Sequence, residues 1–82
     1  MGNSKIWNKE KREELEYLLK EGYRVPYIAK MFQLSPATIY RELKYVLTEK
    51  EYEGRQFVKY SVERAINKDI ETIKGETNEY SE

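Results

Sequence analysis

The sequence predicts an all-α fold: a three-helix core over residues 9–47, followed by a long amphipathic helix over 48–75. Three observations predict it. Apolar residues recur three and four positions apart in successive runs, namely Leu15, Leu18 and Leu19, then Ile28, Ala29 and Phe32, then Ile39 and Leu43, which is the spacing of one helical face. The runs are bounded by helix punctuation: Asn8, Ser35-Pro36 and Thr48 ahead of them, Gly22 and Gly75 behind. The length of 82 residues suits one small domain able to build a helical core without disulfide or metal staples.

Residues 1–8 read as an N-terminal arm. Met1 to Ile6 is expected to be loose, with Lys5 and Lys9 able to reach a phosphate. Trp7, the only tryptophan, is expected in the core, folded back as an apolar staple beside the Asn8 cap. Helix one should run from Lys9 to Lys20 or Glu21, with Leu15, Leu18 and Leu19 inward, Tyr17 at the margin, and Lys11, Arg12, Glu13, Glu14 and Glu16 facing water. Gly22 ends it.

Helix two is expected over about Pro26–Gln33 and helix three over about Pro36–Leu47. Proline in the first turn loses no hydrogen bond, and the Ser35 hydroxyl can cap the free amides of helix three. Ala29 is small where two helices must approach closely. Gln33 stands at a turn position where many such units carry glycine. Ile39, Leu43 and Val46 or Leu47 point inward, which leaves Ala37, Thr38, Tyr40, Arg41, Lys44 and Tyr45 outward. A helix that offers small, hydroxyl, aromatic and cationic groups on one face suits the DNA major groove. The unit therefore reads as a helix-turn-helix. Its candidate DNA contacts are Arg24, Tyr27 and Lys30 on the crossing helix, and Ser35, Ala37, Thr38, Tyr40, Arg41 and Lys44 at and along the reading helix. Glu42 is expected to support rather than read, orienting Arg41 or a residue of helix one.

Ile28-Ala29, Phe32, Leu34-Ser35-Pro36, Thr38-Ile39 and Leu43 resemble the pattern of LuxR-type helix-turn-helix regulators. The longer run from Glu21-Gly22-Tyr23 through Ser35-Pro36-Ala37-Thr38-Ile39-Tyr40-Arg41-Glu42-Leu43 is more similar to the N-terminal DNA-binding region of the "thirty" type of insertion-sequence transposase. Tyr60-Ser61-Val62-Glu63-Arg64-Ala65 also resembles an element that follows in that family. The likeness spans roughly residues 9 to 66. Those transposases continue into a catalytic domain built on three carboxylates, which residues 1–82 do not contain, so the resemblance implies DNA binding and not strand transfer. A bacterial or phage setting is expected; with no membrane span and no signal-peptide pattern at the start, the protein is expected in the cytoplasm, and on the nucleoid when bound.

Composition narrows the chemistry. With no cysteine and no histidine, thiolate chemistry, a thiolate zinc site and the commonest general base are excluded. The carboxylate-rich runs look like solvated helix faces without a nucleophile–base pair, so no catalytic, metal or cofactor site is expected. No stretch approaches the ~20 apolar residues of a membrane span. The formal net charge is zero, an unusual balance for a nucleic-acid binder. The halves differ, however: residues 1–47 hold nine Lys/Arg against six Asp/Glu, and residues 48–82 hold six against nine. Phosphates respond to the local field, so the first half is the candidate face.

Thr48-Glu49-Lys50-Glu51 is a capping box that opens a further helix, weakened at Gly54 and ended by Gly75. Its apolar stripe, Phe57, Val58, Val62, Ile66, Ile70 and Ile73 with Ala65, must be covered by the core or by another chain. A homodimer through this stripe is the favoured expectation, with a helix bound to a protein partner as the alternative. Residues 76–82 are expected to form a disordered acidic tail.

Overall fold

The structure, a computed structural model, describes the backbone of residues 6–81 and the side chains of residues 6–73. Five α-helices and one short 3-10 turn are found among them: α1 (Lys9–Lys20), α2 (Val25–Phe32), α3 (Pro36–Val46), α4 (Glu49–Glu53), the 3-10 turn Phe57–Lys59, and α5 (Val62–Ser81). The all-α expectation holds. No helix among the described residues is long and apolar enough to cross a membrane. Lys5 and the rest of residues 1–5, expected as a loose arm, lie outside the described residues.

The helix starts follow the sequence punctuation. Asn8 accepts the Lys11 amide at 2.7 Å, and Ser35 accepts the Thr38 amide at 3.3 Å. Thr48 and Glu51 exchange reciprocal bonds, at 2.9 and 3.1 Å, in the expected capping box. Gly22 closes α1 at φ +93°, a left-handed conformation glycine adopts without penalty. There its amide and that of Tyr23 reach the carbonyls of Leu19 and Leu18.

The core gathers one face from each of α1, α2 and α3. Leu15, Leu18 and Leu19 meet Val25, Ile28, Ala29 and Phe32, with Ile39, Leu43, Val46 and Leu47 completing the unit. Burying each large aliphatic side chain contributes about 1.5–3 kcal/mol. Trp7 is buried with its ring edge-on to Phe32 at 6.3 Å, as the staple reading expects. Tyr60 and Ala65 are fully buried and carry the C-terminal segment onto the three-helix unit.

Two residues expected to face water bond to distant parts of the chain instead. Arg12 is 5% exposed. Its Nε donates to Glu42 Oε2 at 2.8 Å and its Nη1 to Asp69 Oδ2 at 2.8 Å, tying α1 to α3 and α5. Tyr60 donates its hydroxyl to the same Glu42 oxygen at 2.8 Å. Burial opposes the Arg12 charge, but the bonds to Asp69 and Glu42 more than offset it and push its pKa upward. Burial, with the Glu42 charge beside it, pushes the Tyr60 hydroxyl up. Glu16 is the second correction: it accepts the Val62 amide at 2.9 Å and the Lys20 ammonium at 2.9 Å. It thereby satisfies a free amide in the first turn of α5. Its carboxyl is held below the ordinary range, first by Lys20 and then by the Val62 amide.

The expected single helix over 48–75 is divided. Gly54 caps α4, and Arg55 turns left-handed at φ +58°. The Arg55 amide bonds the Tyr52 carbonyl at 3.0 Å and the Gln56 amide the Glu51 carbonyl at 2.8 Å, the pattern that terminates a helix. Gly75, by contrast, does not stop α5, whose helical backbone continues to Ser81 through six residues expected as disordered tail. An interior glycine costs about 1 kcal/mol but ends a helix only when the backbone reverses there. Glu82 lies outside the described residues.

Arg12→Met should lower unfolding stability by roughly 3–5 kcal/mol, because it strands a buried carboxylate. Arg12→Met combined with Glu42→Leu and Tyr60→Phe should recover most of that loss, since apolar replacement of a complete buried network is often nearly neutral. Urea unfolding of the two proteins checks both expectations.

Candidate nucleic-acid interface

Three residues, Gln33-Leu34-Ser35, separate α2 from α3. Gln33 makes the reversal in the left-handed region, φ 59° and ψ 41°. The amides of Gln33 and Leu34 bond the Lys30 and Ala29 carbonyls at 3.1 and 2.9 Å. Ala29 is 1% exposed, so its small side chain permits close approach of the two helices. Pro36 at the first position of α3 and the Ser35 cap then set the direction of the second helix. The sequence expectation of a turn without glycine is met, at the conformational cost that glycine would have avoided.

This turn leaves one side of α3 open. Ala37, Arg41 and Lys44 are exposed at positions i, i+4 and i+7, a single line along the helix. Thr38 is half-buried beside that line, with its hydroxyl 3.1 Å from the Ser35 hydroxyl. Tyr40 is half-buried on the other flank, edge-on to Phe57 at 6.1 Å. On α2 and its cap, Arg24, Tyr27 and Lys30 are exposed three positions apart, and Tyr27 stacks on Tyr23 at 5.3 Å. The nine candidate contacts thus fall into an open line on α3, a second line on α2, two flanking groups, Thr38 and Tyr40, and Ser35 exposed at the cap of α3. Tyr45, read as outward, is turned away: its hydroxyl donates to Asp69 at 2.6 Å, on the side of α3 that packs against α5. Sequence periodicity placed it one step past the open line, too coarse a measure to see α5 arriving there.

Charge on this surface is one-sided. Residues 22–47 contain four cations, Arg24, Lys30, Arg41 and Lys44, and one acid, Glu42. All four cations are exposed, and none forms an ion pair among the described residues. The acid is fully buried and bonded to Arg12 and Tyr60. Glu42 therefore supports α3 through helix one, one of the two roles expected for it. Several cations elsewhere are occupied. Lys20 pairs with Glu16 and Arg64 with Glu51, the latter drawing the Glu51 carboxyl down to about 2 together with the Thr48 amide. Lys11 sits over the Phe32 ring at 5.0 Å.

The stripe expected to join two chains is split. Phe57 packs on Tyr40 and on Tyr52, and Phe57 and Val62 are both half-buried against their own chain. Val58, Ile66, Ile70 and Ile73 remain exposed. Asp69, accepting from Arg12 and Tyr45, fixes which side of α5 faces inward.

Residues 9–44 match the family model of a helix-turn-helix domain, a domain found in transposase N-termini. The match takes in α1, α2 and nearly all of α3, and with them both Arg12 and Glu42. No curated protein and no solved structure matches the chain. Residues 9–44 thus resemble a helix-turn-helix domain in sequence as well as in geometry, a type of unit that binds DNA.

Gln33→Gly should raise the urea midpoint, by about 0.5–1 kcal/mol in stability, because it removes a Cβ from a left-handed position. Gln33→Val should lower it. The reverse order would contradict the geometry of the turn.

Proposed function

We propose that the protein binds double-stranded DNA sequence-specifically with α3 in the major groove. The carrying observation is the open line Ala37–Arg41–Lys44 on a surface with four unpaired cations, whose one acid is buried. α3 has 11 residues, about 16 Å of helix at 1.5 Å per residue, which suits a groove about 12 Å wide. Arg41, midway along the line, is the base reader, its planar fork matched to the two acceptors of a guanine edge. Ala37 and Thr38 supply close apolar and hydroxyl contacts to neighbouring bases. Arg24, Tyr27, Lys30 and Lys44 hold phosphates and set the register, and Ser35 adds a contact at the start of α3.

The output is occupancy of a site rather than a reaction: a transcriptional regulator, or an accessory DNA-binding factor of a phage or mobile element, working in the bacterial cytoplasm. The resemblance to insertion-sequence transposases supports that setting. Ile66, Ile70 and Ile73 support a homodimer. They lie at i, i+4 and i+7 on α5 and are 39, 44 and 61% exposed, about a quarter turn round the helix from the inward-packed Ala65 and Asp69. A second copy on that face would place two reading helices on one side of the duplex, about 34 Å apart. An unlike protein on the same isoleucines is the second reading.

Selection from a random duplex pool at moderate salt tests this function. An enriched motif is expected, and Arg41→Ala should lose about 1–3 kcal/mol of discrimination at one base pair with unchanged thermal stability. A dimer predicts two inverted half-sites about one helical turn apart, whereas a monomer would select one. Failure to enrich any sequence would contradict specific recognition.

A further inference from the structure

The cleft beside α3 contains a cation that the helix-turn-helix domain does not itself supply. Tyr23, Arg24, Tyr40, Arg55 and Phe57 line it, so the N-terminus of α2, the flank of α3 and the turn after α4 meet there. Arg55 is exposed and left-handed at φ +58°, a conformation that disfavours any residue with a Cβ. Gly54, which would adopt it freely, stands one residue earlier in an ordinary conformation at φ −80°. The chain thus places an arginine at the reversal with a glycine beside it.

The turn is held firmly. Two backbone bonds close it. Phe57 locks it against Tyr40 and Tyr52, at 6.1 and 5.9 Å between ring centres, and Arg64 grips Glu51 of α4 at 2.8 Å. Neither Arg24 nor Arg55 has an ion-pair partner among the described residues. Glu53 lines an adjoining recess that shares Tyr40, Arg55 and Phe57 with this cleft, and it forms no ion pair with Arg55. Two unpaired guanidinium groups and the Tyr40 ring therefore face one opening. Lys44, one turn along α3 from Tyr40, extends the same flank.

We infer that Arg55 and Arg24 grip the phosphate backbone of the strand running along this flank of α3, making the turn after α4 a second DNA-contacting element. The inference rests on the major-groove reading of α3. The cleft lies beside the Ala37–Arg41–Lys44 line rather than on it, which suits backbone rather than base edges. Paired guanidinium forks match phosphate oxygens in geometry and charge. The C-terminal segment thus does more than pack: it adds positive charge to an interface whose parent domain ends before it.

The test uses the 82-residue protein, a duplex carrying the selected site and a duplex of random sequence, each titrated across a range of salt. Arg55→Asn and Arg55→Gly remove the charge while tolerating the left-handed backbone; Arg55→Lys keeps the charge. Both neutral variants should bind both duplexes more weakly by one common factor, roughly three- to tenfold near 0.15 M salt. Their log–log salt dependence should be shallower by about 0.9. Arg55→Lys should keep the wild-type slope. Unchanged affinity and slope in both neutral variants, with the wild type bound, would overturn the phosphate contact and leave the α3 reading standing. An altered base preference at unchanged slope would overturn it too, by making Arg55 a base reader. A wild type that binds neither duplex at low salt would overturn the contact and the major-groove reading together.

Discussion

Arg12 is the constraint on which the rest of the structure depends. One buried guanidinium group holds Glu42 of α3 and Asp69 of α5 at 2.8 Å each. Without a partner on α1, Glu42 would be a buried charge bonded only to the Tyr60 hydroxyl. One Glu42 oxygen already lacks a hydrogen bond. The arrangement is costly in desolvation and tolerable only as a complete network. Its return is orientation. The bond fixes the rotation of α3 about its axis, and so fixes which residues form the open line. The Asp69 arm does the same for α5.

The same interaction clears the reading surface of negative charge. An acid in the middle of α3 would repel phosphates if it faced them, yet Glu42 points inward and is neutralised there. The zero net charge of the chain then ceases to argue against DNA binding. Acidic residues gather on the outer side of α1 and along α4 and α5, whereas Arg24, Lys30, Arg41 and Lys44 stand without an exposed acidic neighbour on their own elements. Beyond a screening length of about 8 Å at physiological salt, distant acids contribute little to the field a phosphate meets. Local distribution decides, and here it is positive.

Much of this was legible in residues 9–47 because the signals there are local. Asn8, Ser35 and the Thr48–Glu51 box announce helix starts through bonds only three residues long, and Leu15, Leu18, Ile28, Ile39 and Leu43 repeat at helical spacing. The open line on α3 follows from the same period once its inner side is known. The readings that failed concern contacts between residues distant in sequence. Arg12 lies 30 residues from Glu42 and 57 from Asp69, and a charge at the edge of an amphipathic stripe reads as water-facing until its partners are placed. Glu16 was hidden in the same way, since its partner is a backbone amide 46 residues away. The Phe57–Ile73 stripe was read as one face because period alone cannot show that a reversal at Arg55 and a 3-10 turn re-aim its first part. Tyr60 was visible only as part of a family resemblance; its buried bond to Glu42 supplies the physical reason for that element.

The central claim is that duplex DNA lies against α2 and α3, on the side opposite the Arg12 network. Backbone amide NMR of the labelled protein, titrated with its selected duplex, tests it most directly. The account predicts that perturbations concentrate at Arg24 to Lys30 and at Ser35 to Lys44, while Ile66, Ile70 and Ile73 stay largely still or respond only as a subunit contact. Perturbations confined to α5, with Ala37 and Arg41 unmoved by saturating DNA, would contradict it.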